Sequence, residues 1–120
     1  MTDQPAPTAR SGDVPFPGRP VRGSTTGRPI MAAFDLLGRR WALRVLWELR
    51  SGPLGFRALQ QRCDDVSPTV LNSRLSELRD AGLIEQDESK AHRLTRLGQD
   101  LQEALSPLQA WSQRWAHGTR

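Results

Sequence analysis

SPTVLNSRLSELRDAGLIE, residues 67–85, carries the pattern that decides the fold. On a wheel of about 100° per residue, Leu71, Leu75 and Leu78 gather on one side with Val70 at their edge, while Thr69, Asn72, Ser73 and Ser76 point away. Ser67 is a good N-cap, Pro68 fits the first turn and Gly82 stops the pattern, so the spacing predicts an amphipathic helix over 68–81. The second face is unusual. A helix that meets only water tends to carry Glu and Lys there, because Ser, Thr and Asn are weaker helix formers. Short side chains that both donate and accept hydrogen bonds suit close approach to base edges, where Glu would be repelled by phosphates. The competing reading is a merely solvated face.

Upstream, LGFRALQQRCDDVS holds a short extended piece near Phe56 and a brief helix over about 57–63, and DDVSP makes the turn into Ser67. Downstream, LIEQD and HRLT alternate like two short strands around the connection ESKA. Two helices joined by a tight turn and followed by a hairpin make a winged helix-turn-helix, with the first helix bracing the second so that its N-terminal part can enter a DNA major groove.

Further out, Pro29 opens a helix whose Ile30, Ala33, Phe34 and Leu37 recur at spacings of three and four before Gly38. A second helix over about 40–50 has Trp41, Leu43, Val45, Leu46 and Leu49 on nearly every side, which predicts the centre of the core. Thr95 caps a last helix to about Ala116. Its Leu97, Leu101, Ala104, Leu108, Trp111 and Trp115 alternate by four and three in the manner of a coiled-coil seam, and Pro107 is expected to kink it. Residues 1–28 are rich in Pro, Gly, Ser and Thr and form the expected flexible arm, with Arg10, Arg19, Arg22 and Arg28 against Asp3 and Asp13; residues 29–120 are the expected folded domain.

The chain has 120 residues, enough for one domain with a modest core. Lys and Arg number 17 against 13 Asp and Glu, and all but Lys90 of the basic residues are arginine, which favours planar contact with phosphate or carboxylate. No apolar run is long enough to cross a membrane and the N-terminus lacks a signal-peptide layout, so a cytoplasmic protein is expected. One cysteine, Cys63, excludes an intramolecular disulfide, and with only His92 and His117 beside it no metal site is expected. Nor does the chain show a nucleophile with a base or paired carboxylates in a cleft: Asp64 and Asp65 are adjacent in a turn. No enzyme activity and no cofactor are expected.

Three blocks in order, LLGRRW, SPTVLNSRLSELRDAGLI and RLTRLG, resemble the HxlR-type winged-helix regulators of bacteria, relatives of the MarR group, over about residues 31–115. The resemblance implies a mainly α fold with a small two- or three-stranded wing, a three-helix core and N- and C-terminal dimerisation helices. It also implies transcriptional control by a homodimer whose second motif helix enters the major groove of double-stranded DNA. One departure concerns the wing, which in that family is longer and often Pro-rich and basic. Here it is clipped, and its cations are Lys90 and Arg93, with His92 beside them.

Candidate base contacts are Ser67, Pro68, Thr69, Asn72 and Ser73, with Asn72 the one most able to pair bidentately with adenine and Ser67 equally suited to a plain cap. Candidate phosphate contacts are Arg39, Arg40, Arg57, Arg62, Arg74, Lys90 and Arg93; Arg74 either clamps a phosphate or folds back onto Glu77 or Asp80. Ile30, Phe34, Leu101, Leu105, Leu108, Trp111 and Trp115 are the candidate dimer interface. Two-fold pairing sets two recognition helices about one DNA turn apart and implies a near-palindromic operator, with repression the expected outcome. The alternative is a winged-helix module that binds another protein and no DNA. Any small-molecule effector is unspecified by the sequence. Cys63, beside two aspartates, is expected to be a core residue rather than a redox sensor.

Overall fold

A computed structural model describes residues 14–118. In order along the chain these form α1 (Pro29–Leu37), α2 (Ala42–Glu48) with a 3-10 turn at Leu49–Ser51, α3 (Phe56–Arg62), α4 (Pro68–Asp80), β1 (Ile84–Gln86), β2 (His92–Leu94) and α5 (Arg96–Gly118). The two strands pair antiparallel with Ile84 opposite Leu94, Glu85 opposite Arg93 and Gln86 opposite His92. Leu54 adds a single bridge to His92, exchanging both backbone hydrogen bonds with it at 2.9 and 2.8 Å. The sheet therefore has a third, one-residue rung, and the architecture is the expected mainly α winged helix-turn-helix.

The core is built on α4. Leu71, Leu75 and Leu78 are buried and meet Val45, Leu46 and Leu49 of the second helix, Leu59 and Cys63 of the third, and Leu83, Ile84 and Leu94 of the hairpin. Local chemistry fixes where α4 begins and ends. The Ser67 hydroxyl accepts from the Val70 amide at 3.2 Å, satisfying one of the N–H groups that the helix start leaves without a partner. At the other end Gly82, at φ 85°, turns the chain left-handed. The Leu83 amide then bonds back to the Leu78 carbonyl and the Gly82 amide to Arg79, both at 2.9 Å, the Schellman arrangement. Thr95 joins this corner to α5, donating from its hydroxyl to the Gly82 carbonyl at 2.6 Å and accepting from the Gly98 amide at 3.1 Å. The turn between α3 and α4 uses Asp64 and Asp65, both left-handed, a conformation Asp tolerates better than most residues. The Gln60 side chain closes it with a bond to the Val66 carbonyl at 2.9 Å.

Some expectations need correction. Leu43 is exposed rather than central. Of the expected arm, residues 1–13 lie outside the described residues. Within the expected arm, Val14 is buried among the core residues, and the Gly18 amide bonds the Gly27 carbonyl at 2.9 Å, while most of residues 16–28 are exposed. The Arg22 amide donates to Asp35 of α1 at 3.1 Å.

Candidate nucleic-acid interface

The N-terminal half of α4 stands out from the domain with Ser67, Pro68, Thr69 and Asn72 exposed and Ser73 half-buried. The leucines on the opposite face hold this surface in place, so its polar groups are presented with little freedom of the backbone beneath them. Ser67 serves as the cap, which commits its hydroxyl to Val70. Thr69, Asn72 and Ser73 keep side chains with no hydrogen-bond partner among the described residues. Ser76 departs from the expected outward face: it is 7% exposed. Both α2 and β1 pack against α4, so the free arc is narrower than a wheel drawn for an isolated helix.

The seven basic candidates fall into two groups. Arg40, Arg57 and Lys90 are exposed, and no carboxylate pairs with them among the described residues. The rest are held by acids. Arg39 Nη1 lies 3.1 Å from Glu77 Oε2, and Arg74 Nε lies 3.3 Å from Glu77 Oε1. Of the alternatives open for Arg74, the fold places it on Glu77, and its Nη1 also reaches the Arg40 carbonyl at 3.4 Å. Arg62 is 3.8 Å from Glu48, whose carboxylate also takes a 2.9 Å bond from Arg44. Arg93 pairs with Glu85 directly across the hairpin at 2.8 Å.

The wing tip is organised by one carboxylate, that of Asp87. Asp87 Oδ1 accepts from the Ser89 hydroxyl at 2.7 Å, the Ser89 amide at 2.9 Å and the Ala91 amide at 3.0 Å. These bonds, the Ser89 hydroxyl foremost, hold its carboxyl below the usual carboxylate range. Such Asx-type bonding was legible in the spacing of Asp87 and Ser89. His92, treated as a possible wing cation, is instead buried, with its Nδ1 lacking a hydrogen-bond partner. Burial, and then the nearby Arg79 charge, push its pKa down, with Asp87 opposing. Cys63 is fully buried, and burial raises its thiol pKa.

A second surface is apolar. Ile30 and Phe34 on α1 and Leu108, Trp111 and Trp115 on α5 are each about half exposed or more, with Phe34 at 60% and Trp115 at 59%. The Trp111 and Trp115 rings stack at 5.4 Å between centroids, extending the seam toward the end of α5. Leu101 and Leu105 are half-buried along the same helix. Leu43, Trp47, Leu105 and Leu108 line an open groove of about 590 Å³ between α2 and α5.

A capped, leucine-backed helix with a small polar outer face, braced by a shorter helix and flanked by a hairpin, defines a winged helix-turn-helix protein. The HxlR-like helix-turn-helix family matches residues 36–120, and the chain belongs to that family. It is 32% identical over 89 residues to MJ0925, an HTH-type transcriptional regulator of Methanocaldococcus jannaschii, covering 71% of this chain and 83% of that protein. It is 28% identical over 99 residues to the HTH-type transcriptional regulator YodB of Bacillus subtilis, covering 78% and 88%. The quinone-bound structure of YodB superposes with a TM-score of 0.66 at 30% identity, over 71% of this chain and 96% of that one. Its reduced form gives 0.61 at 32% identity, over 70% and 89%. The chain is thus a transcriptional regulator of helix-turn-helix type.

Proposed function

We propose that the protein is a sequence-specific, double-stranded DNA-binding regulator that acts as a homodimer on a near-palindromic operator. The observation that carries this reading is the outer face of α4, where Thr69, Asn72 and Ser73 stand without partners at the start of a helix fixed by its cap and its buried leucines. Asn72 supplies a donor and an acceptor for adenine, and Thr69 and Ser73 flank it. The exposed Arg40, Arg57 and Lys90 supply phosphate contacts that set register. The apolar faces of α1 and α5 pair two chains, which sets two recognition helices on one side of a duplex. Repression is the simplest consequence, since a dimer seated on its operator occludes whatever else must bind there.

One observation favours the second reading, a protein-binding module. Arg39, Arg62, Arg74 and Arg93 all sit beside carboxylates, which leaves a modest cationic surface. Fluorescence anisotropy of a labelled random duplex, titrated with the full chain at low and moderate salt, separates the two. DNA binding is expected at low salt, with affinity falling as salt rises because counterions are released on association. No binding at low salt favours the protein partner.

A further inference from the structure

The loop at residues 38–41 between α1 and α2 is tied to the middle of α4 by a side-chain network. Glu77 accepts a hydrogen bond from Arg39 Nη1 on one carboxylate oxygen at 3.1 Å, and Arg74 Nε lies 3.3 Å from the other as an ion pair, buried and without hydrogen-bond geometry. Arg74 reaches across to the Arg40 carbonyl at 3.4 Å. The Glu77 and Arg74 side chains are mostly buried, so these ion pairs are only weakly screened. Within the loop the Ala42 amide bonds the Arg39 carbonyl at 3.0 Å, and Trp41 is held at φ 74°. A left-handed tryptophan costs on the order of 1–3 kcal/mol and persists only where its surroundings over-determine it. The Arg40 side chain is the one cation of this cluster that is exposed and has no acidic partner among the described residues.

We infer that Arg40 is a phosphate anchor and that Glu77 is its positioning residue, acting through Arg39 and Arg74, which brace the loop instead of touching DNA. The inference rests on the DNA-binding reading and refines it. Glu77 would otherwise be misplaced, an acid on the helix that meets a polyanion; engaged by two guanidinium groups, it converts repulsion into a fixed geometry for the third. The recognition helix and the phosphate anchor then move as one body, so the register set by Arg40 on the backbone is transmitted to Asn72.

The test is a double-mutant cycle in DNA binding, read by anisotropy over a range of salt with the full chain. Arg40→Ala is expected to weaken binding to all duplexes alike and to lower the salt slope by about one per bound protomer. Between about 50 and about 200 mM salt the loss of affinity then shrinks by about 3.5-fold per protomer, and Arg40→Lys restores the slope. Glu77→Gln is expected to weaken binding in the natural background and to have little further effect with Arg40→Ala. If Glu77→Gln fails to fold, Arg39→Met takes its place in the same cycle. An unchanged slope for Arg40→Ala, or additive effects of the two substitutions, would overturn the inference while wild-type DNA binding stands. Absence of salt-dependent binding by the wild type would instead overturn the DNA-binding reading, and this inference with it.

Discussion

The side-chain amide of Asn72 is exposed on α4 and has no hydrogen-bond partner among the described residues. Asn72 falls outward from the leucine pattern and is found there, because a helix backed by three buried leucines has no freedom to turn another face. Asn72→Ala is expected to cost about 1–3 kcal/mol on a selected operator and little on random duplex, since a bidentate pair to a base carries discrimination rather than general affinity. Competition binding with both duplexes checks it; equal losses on the two would place Asn72 on phosphate. His92 was legible as a residue of the second strand but not as a buried one. Its partner across the bridge, Leu54, lies 38 positions earlier, beyond the reach of any local period. A histidine whose folded pKa is depressed binds a proton more readily when unfolded. Stability is therefore fully present above about pH 6.5 and declines as pH falls below it toward the folded pKa. Denaturant midpoints measured from pH 8 to pH 5 are expected to drop for the wild type and to flatten for His92→Leu. Asp87, depressed from a carboxylate value, titrates in a lower window and does not confuse the comparison. Parallel pH profiles for the two proteins would remove His92 from this role.

At the scale of elements, caps and turns were the most legible features. Ser67 and Thr95 accept from backbone amides with their hydroxyls, Pro68 brings no amide to the first turn of α4, and Gly82 takes the left-handed turn that ends it. Solvent exposure was less legible, because it depends on elements that arrive later. Leu43 looks like core in its own helix yet faces the groove beside α5, and Ser76 looks like surface yet is buried in the folded domain. Pairing of arginines with acids was similarly hidden, since Arg39 and Glu77 lie far apart in sequence. The close seating of α5 on the hairpin entry gives a sharp prediction. A Cβ at Gly98 would overlap the Leu83 carbonyl oxygen and crowd Leu94. That Leu83 carbonyl already accepts from the Thr95 amide at 3.0 Å, so it has little room to move. Gly98→Ala is expected to destabilise by about 1–3 kcal/mol, the usual range for overpacking, despite the better helix propensity of alanine. Chemical unfolding with an unchanged midpoint would show that α5 can lift from the hairpin without cost.

For the whole molecule, the proposed dimer would use the apolar residues of α5 to present two copies of the polar face of α4. The seam of α5 was legible as a period, and its exposure in a single chain is what a pairing surface requires. Ile30 and Phe34 on α1 are likewise large apolar side chains left exposed to water. Replacing Trp111 and Trp115 by Ser is expected to shift sedimentation from dimer toward monomer and to weaken operator binding much more than random binding; an unchanged mass would move the interface elsewhere. The role of residues 1–13 was set by composition alone, whereas Val14, within the same expected arm, is buried among the core residues. The most direct measurement for paired recognition helices is selection of bound sequences from a random duplex library with the full-length protein, followed by sequencing. The expected product is an inverted repeat whose half-sites are centred about 10 base pairs apart, one helical turn, with adenine at the position protected by Asn72. Enrichment of a single unrepeated site, or no enrichment at all, would contradict it.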